Sequence, residues 1–309
     1  MQISGGITLT GGANFTSGTD SSGSGPTGFQ GTNYGYTSGG EPIAGTIDKF
    51  PFASDANATD VGNLTQARSY VAGQSSTASG YTSGGEPIAG TIDKFPFSSD
   101  GNATDVGDLS LSRRSVAGQS STASGYSSGG IAPPSVDTID KFPFASDANA
   151  SDVGNLTVAR FDAVGQSSTA SGYTSGGYSD TIDKFPFASD ANATDVGNLT
   201  QARSYVAGQS SGENGYTSGG YAGPEGRTTI DKFPFASDAN ASDVGDLTQA
   251  RYGAAGQSST ASGYTSGGFA DTINTIVDTI DKFPFSSDAN ATDVGDLTQA
   301  RRYAAGQQY

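Results

Sequence analysis

Apolar residues in this chain arrive in short bursts of alternating polarity, separated by Gly, Ser, Asn and Asp, and no stretch sustains a helical period. One unit stands for all. Residues 67–76 (ARSYVAGQSS), 79–85 (SGYTSGG), 91–97 (TIDKFPF) and 104–109 (TDVGDL) each have strand length, and turn-forming residues bound each one. In the third segment the two-residue period sets Phe95 and Phe97 on one face and Ile92 and Lys94 on the other, so both faces need cover. The run that follows, Ser-Asp-(Ala/Gly)-Asn-Ala-(Thr/Ser)-Asp, has tight-turn chemistry, because Asp and Asn side chains bond nearby backbone. Pro51 and its equivalents cannot donate to a neighbouring strand, which predicts a bulge or a locally unpaired edge there.

The four segments recur six times. Ile-Asp-Lys-Phe-Pro-Phe starts at Ile47, Ile92, Ile139, Ile182, Ile230 and Ile280, in steps of 43 to 50 residues, and Gly-Tyr-(Thr/Ser)-Ser-Gly-Gly keeps pace with it. A repeat of this length with four short strands and no helix predicts an all-β fold, a six-bladed β-propeller of four-stranded blades. A linear β-solenoid is the alternative, although its repeats are usually shorter. The chain ends point to closure. The first aromatic strand, 35–40, has no arginine-led strand before it, while residues 301–309 (RRYAAGQQY) form such a strand with no successor. The C-terminal strand is therefore expected to join the first blade as its innermost strand, setting Gln307 beside Tyr36 and removing exposed edges. Residues 35–309 make up the propeller. Residues 1–34, rich in Gly, Ser and Thr, read as an N-terminal arm and flexible tether.

Composition narrows the chemistry. Only 33% of the residues are hydrophobic, so the core must be thin and shared among modules. A net charge of −16 opposes nucleic acid, and no basic stripe overturns it. Twelve of the fifteen cations occupy two fixed positions, the lysines at 49, 94, 141, 184, 232 and 282 and the arginines at 68, 113, 160, 203, 251 and 301, where they are expected to pair locally with repeat aspartates. Neither Cys nor His is present, which removes disulfides, thiol chemistry, the usual zinc ligands and the commonest general base. No apolar run reaches membrane-spanning length, and residues 1–14 lack the features of a secretion signal, so a soluble chain without membrane insertion is expected.

The order of an arginine-led strand, an aromatic strand ending in Gly-Gly, an aromatic strand with Asp, a turn and a final strand resembles the Kelch motif, with Tyr81, Gly84 and Gly85 in its diagnostic places. The chain departs from that motif in its fourth strand, where Val106 stands in place of the usual Trp. Modules containing DKFPFASDANATDVG are also similar to Kelch-like proteins of marine bacteriophages. The opening MQISGGITLTGG is similar to the starts of small structural proteins in phages of cyanobacteria. The resemblance implies a virion-associated protein whose residues 1–15 dock onto other virion proteins by strand addition. A merely disordered tail is the other reading of that arm.

Sixfold residues are scaffold before they are site. Gln74, Gln119, Gln166, Gln209, Gln257 and Gln307 are expected to form a polar ring near the central channel, hydrogen-bonded to one another rather than lining a ligand pore. Asp55, Asn57, Thr59 and Asn63 alternate like calcium ligands, but Asp60 stands where such loops need Gly and no Glu closes them, so an Asx-stabilised hairpin with no metal is expected. No unique cluster of Asp, Glu, Lys or Tyr suggests catalysis, and neither an enzyme activity nor a cofactor is expected. The informative variation lies between Gly-Gly and the next Thr-Ile-Asp, in connections that must all emerge on one face of the disc. Tyr178, Tyr221, Glu225, Arg227, Phe269 and Ile276 are the candidate binding residues there, with drift in unconstrained loops as the competing reading. The expected function is a non-enzymatic phage structural or adhesion protein that presents this face to a host-surface glycan or protein. A soluble cellular interaction propeller and a carbohydrate-active enzyme or lectin are the alternatives.

Overall fold

The computed structural model describes residues 30–309, so the docking segment expected at residues 1–15 lies outside the described residues. Six antiparallel sheets of four main strands stand around a central axis. In the second blade the strands run outward as Ala72–Ser75, Ser79–Ser83, Thr91–Pro96 and Thr104–Asp108. The first blade is assembled from both ends of the chain. Ala305–Gln308 is its innermost strand, followed by Tyr34–Ser38, Thr46–Pro51 and Thr59–Asn63, with Tyr36 opposite Gln307. The expected closure is therefore present.

Alternation along the third strand explains why the blades stack. Ile47 turns to the following blade and Phe50 to the preceding one, so each interface combines Tyr, Ile and Leu of one blade with two Phe and an Ala of the next. Between the first two blades these are Tyr36, Ile47 and Leu64 against Phe95, Phe97 and Ala103, with the Tyr36 and Phe97 rings stacked at 4.9 Å. The same group recurs across the seam, where Tyr264, Ile280 and Leu297 meet Phe50, Phe52 and Ala58. Each buried Phe contributes about 2 kcal/mol, so six small interfaces replace a single large core.

The proline expectation holds in its second form. Pairing between the two outer strands ends at Lys49 and Thr59, leaving Pro51 beyond it, and a bulge sits earlier, where Ile47 faces Gly62 but Asp48 faces Asp60. The lysines do pair with repeat aspartates, but across blade boundaries. Lys49 reaches Asp100 and Lys94 reaches Asp147, and Lys282 closes the circle onto Asp55 at 3.0 Å. The arginines are buried. Arg68 donates to the carbonyls of Gly84 and Thr91 and to Asp93, which also accepts from the amide and hydroxyl of Thr65.

The glutamine expectation needs correction. Their amides do not bond one another. Gln74 donates through Nε2 to Ser83 in its own blade and to the Tyr126 carbonyl and Ser127 hydroxyl of the next, and Gln307 does the same to Ser38, Tyr81 and Thr82. A carbonyl and a hydroxyl on the adjacent sheet lie within reach, whereas the next glutamine is itself turned toward its own neighbour. The glutamines thus staple blade to blade. The glycine before each one is also explained, because a methyl group on Gly165 would overlap the carbonyl oxygen of Gly118 in the preceding inner strand.

Candidate functional site

Strand direction divides the connections between two faces of the disc. One face carries the Ser76–Ser79 type of hairpin, present in every blade except the first, which the two chain ends close, and the Asp-Asn turns, which are alike in all six. Their polar atoms are engaged between blades, with Asp55 held by Lys282 and Asn57 accepting the Asp296 amide. Among the described residues no group of His, Cys, Asp and Glu is arranged to hold a metal. The other face carries the connections of varied length and the links from each outer strand to the next inner strand.

On this variable face the main chain forms a closed ring. Tyr70, Ser115, Asp162, Tyr205, Gly253 and Tyr303 occupy equivalent positions, and each amide donates to the carbonyl of the preceding member at 2.6–3.3 Å. All six adopt left-handed backbone, with φ between 54° and 69°. That conformation is unfavourable for a side chain such as Tyr, and the circular hydrogen bonding holds it. The scaffold fixes the backbone while the residue itself varies, with Tyr at three of the six places and Ser, Asp and Gly at the others. Behind the ring lies a cavity of about 130 Å³ walled by the inner strands.

The residues just before these six form an outer circle. Ser69, Arg114, Ser204, Tyr252 and Arg302 bridge the first residue of a variable connection, namely Glu86, Ile131, Tyr221, Phe269 and Glu41 in that order, while the Phe161 ring packs on Tyr178. The two circles and the variable connections together bring eight aromatic rings into one connected patch. Phe161 meets Tyr178 at 5.2 Å, Tyr178 meets Tyr205, and Tyr205 meets both Tyr252 and Tyr303. Tyr221 and Phe269 flank Tyr252 at 5.3 and 5.5 Å, and Tyr70 stacks on Tyr303 at 4.1 Å. Gly253 makes that overlap possible, since a methyl group there would strike the Tyr303 ring. Among the described residues every large exposed hydrophobic side chain, from Ile43 and Ile88 to Leu111, Val158, Tyr178 and Ile273, also opens on this face.

The charges of the face are largely committed. Arg302 pairs with Glu41 at 3.1 Å and lies over the Phe269 and Tyr303 rings. Arg114 lies over Tyr70 and approaches Glu86 at 3.4 Å, an ion pair without a well-formed hydrogen bond. Asp162 is the exception, only 7% exposed. Burial pushes its carboxyl up to about 6, and hydrogen bonds from Ser115 and Tyr205 draw it part of the way back. Burial likewise raises Tyr205, which bonds Tyr178 through the two hydroxyls at 3.3 Å.

The six candidates from sequence separate into groups. Tyr178, Tyr221 and Phe269 belong to the aromatic patch, and Tyr178 is 56% exposed. Glu225 and Arg227 lie on a hairpin, where the Arg227 guanidinium is taken up by Gln201 and by the Ala222 and Glu225 carbonyls. Ile276 pairs with Phe269 in a second hairpin. Sequence reasoning missed Tyr70, Arg114, Phe161, Asp162, Tyr205, Tyr252, Arg302 and Tyr303. Their signal was two varying positions inside a fixed phrase, seen in Arg68-Ser-Tyr-Val against Arg160-Phe-Asp-Ala. No protein-family model matches this chain, and no curated protein is significantly similar to it. Among the described residues no helix is long and apolar enough to cross a membrane.

Proposed function

We propose that this β-propeller is a non-enzymatic recognition module that binds its target through the variable face, at the mouth of the central channel. One observation carries the reading. Of the twelve aromatic residues that the repeat does not require, eight form a single connected patch there. Drift alone has no reason to gather them, and half-buried rings on a rigid frame lose little entropy on binding. A non-enzymatic role is favoured because Asp162 is the one carboxylate of the inner ring, while Glu41 and Glu86 are paired with arginines. Glycoside cleavage ordinarily uses two carboxylates across the bond.

Placement on a phage particle, with the N-terminal arm as anchor, extends this proposal and rests on the resemblance of the repeat and of the opening residues. The recognition face would then meet a bacterial surface. Labelled protein sedimenting with bacterial cells tests the core of the reading. The double variant Tyr178→Ala, Tyr252→Ala should keep its melting temperature within a few degrees and lose adsorption at least tenfold. Adsorption equal to that of the parent would reject the face. Peptides of this chain in purified particles test the virion placement, and their absence would reject it.

A further inference from the structure

Resting on the variable face as the recognition surface, we infer that its ligand is an uncharged saccharide chain laid across the aromatic patch. Flat apolar rings stack on the carbon-bound hydrogens of a pyranose, and hydroxyls at the ring edges then need partners. Both elements are in place. Phe161, Tyr178, Tyr205 and Tyr252 follow one another at centroid spacings of 5.2 to 6.1 Å with interplanar angles of 41° to 75°, so they make a stepped lining that offers successive sugar units a ring face and a ring edge in turn rather than one flat platform. Tyrosine hydroxyls punctuate this path, and the Tyr178 and Tyr205 hydroxyls already form a donor and acceptor pair. Next to the Tyr252 end of this path the Arg302–Glu41 pair, and elsewhere on the face the Arg114–Glu86 pair, set a planar donor beside a carboxylate acceptor. A vicinal diol both gives and accepts hydrogen bonds, so it matches such a pair without requiring either charge to be released.

Charge selects among saccharides and disfavours other polymers. The three arginines outside the repeat all lie on this face, and each is engaged: Arg302 by Glu41, Arg114 by Glu86, and Arg227 by Gln201 and backbone carbonyls. Among the described residues each cation of this face already has a carboxylate or carbonyl beside it, which weakens its pull on a uronate, sulfate or phosphate, and a net charge of −16 repels such groups at long range. A protein partner would favour a strongly apolar centre with a polar rim. Here the arrangement is reversed, since the aliphatic residues Ile43, Ile88, Leu111, Val158 and Ile273 lie in the outer connections while hydroxyl-bearing rings hold the middle.

Affinity electrophoresis of the full chain in native gels tests the inference with dextran, mannan and galactan as neutral polymers and alginate and heparin as anionic ones. At least one neutral polymer should retard the protein. That retardation should persist in 0.5 M salt, because an uncharged ligand has no charge for salt to screen, and fall at least tenfold in Tyr178→Ala and in Tyr252→Ala. No retardation by any neutral polymer, or retardation by anionic polymers alone, overturns the inference. If the protein ignores the neutral polymers yet adsorbs to cells through Tyr178 and Tyr252, the ligand is a protein or a charged polymer and the recognition face stands. If neutral polymers retard both variants as strongly as the parent, the face itself is wrong.

Discussion

Asp162 is the one carboxyl of the inner ring, and its burial has a thermodynamic signature in the accessible pH range. The informative perturbation is Asp162→Asn, because Asn tolerates the left-handed backbone found there, φ 55°, and its amide oxygen can still accept from Ser115 and Tyr205. In the folded protein the carboxyl sits at about 6, against 3.8 for a free aspartate. The folded state therefore holds this proton more tightly than the unfolded chain does. Near pH 4 and below, the group is protonated in the native state and ionisation costs nothing. Between about pH 4 and pH 6 the unfolded chain ionises this group while the native state still holds the proton, so stability falls, and the loss is complete at about 3 kcal/mol once pH has risen through the native value of about 6. The amide variant has no such cost. The two proteins should melt together near pH 4, and the variant should be more stable by about 3 kcal/mol, roughly 5 °C, at pH 7. Thermal melts followed by far-ultraviolet circular dichroism at half-unit pH steps would measure this difference. Equal melting at pH 7, or a gap that widens toward pH 4, would refute the burial argument.

Three further outcomes follow from the scaffold. Gln209→Leu removes donors to Ser218, the Tyr264 carbonyl and Thr265 while nearly keeping volume, and should cost about 3 kcal/mol in urea denaturation, the result of buried groups left unpaired. Gly165→Ala, which would overlap the Gly118 carbonyl, should lower the melting temperature sharply, whereas Gly212→Ala, with open space around it, should leave it unchanged; similar effects of the two would contradict the close approach of the inner strands. Arg68→Met strands the buried Asp93 carboxylate and should cost about 4 kcal/mol, while Lys94→Gln, which breaks a solvent-exposed pair, should cost under about 1 kcal/mol by the same assay.

The fold was legible because each structural instruction is given six times. Period-two alternation in Thr-Ile-Asp-Lys-Phe-Pro-Phe specified a two-faced strand, and the unmatched phrases at residues 35–40 and 301–309 specified closure. Partner assignment was less legible. Nothing in the sequence says that Gln74 reaches Tyr126 or that Lys49 reaches Asp100, because those choices depend on how far adjacent sheets are rotated and displaced. The site was half visible. Loop length drew attention to Tyr178, Tyr221 and Phe269, whose variation is conspicuous. Tyr70, Asp162, Tyr205 and Tyr303 vary inside an inner-strand phrase that otherwise looks uniform, and only the circular backbone hydrogen bonding shows that these positions converge. Arg227, a candidate binding residue by its loop position, has its guanidinium held by carbonyls of its own hairpin.

Hydroxyl-radical footprinting of the full chain, free and adsorbed to its target surface, addresses the central claim most directly. Protection concentrated at Phe161, Tyr178, Tyr205 and Tyr252, with Tyr34, Lys94 and Lys141 on the opposite face as reactive as in the free protein, is the predicted pattern. Protection of Tyr34, Lys94 and Lys141 with an unprotected channel mouth would contradict the account.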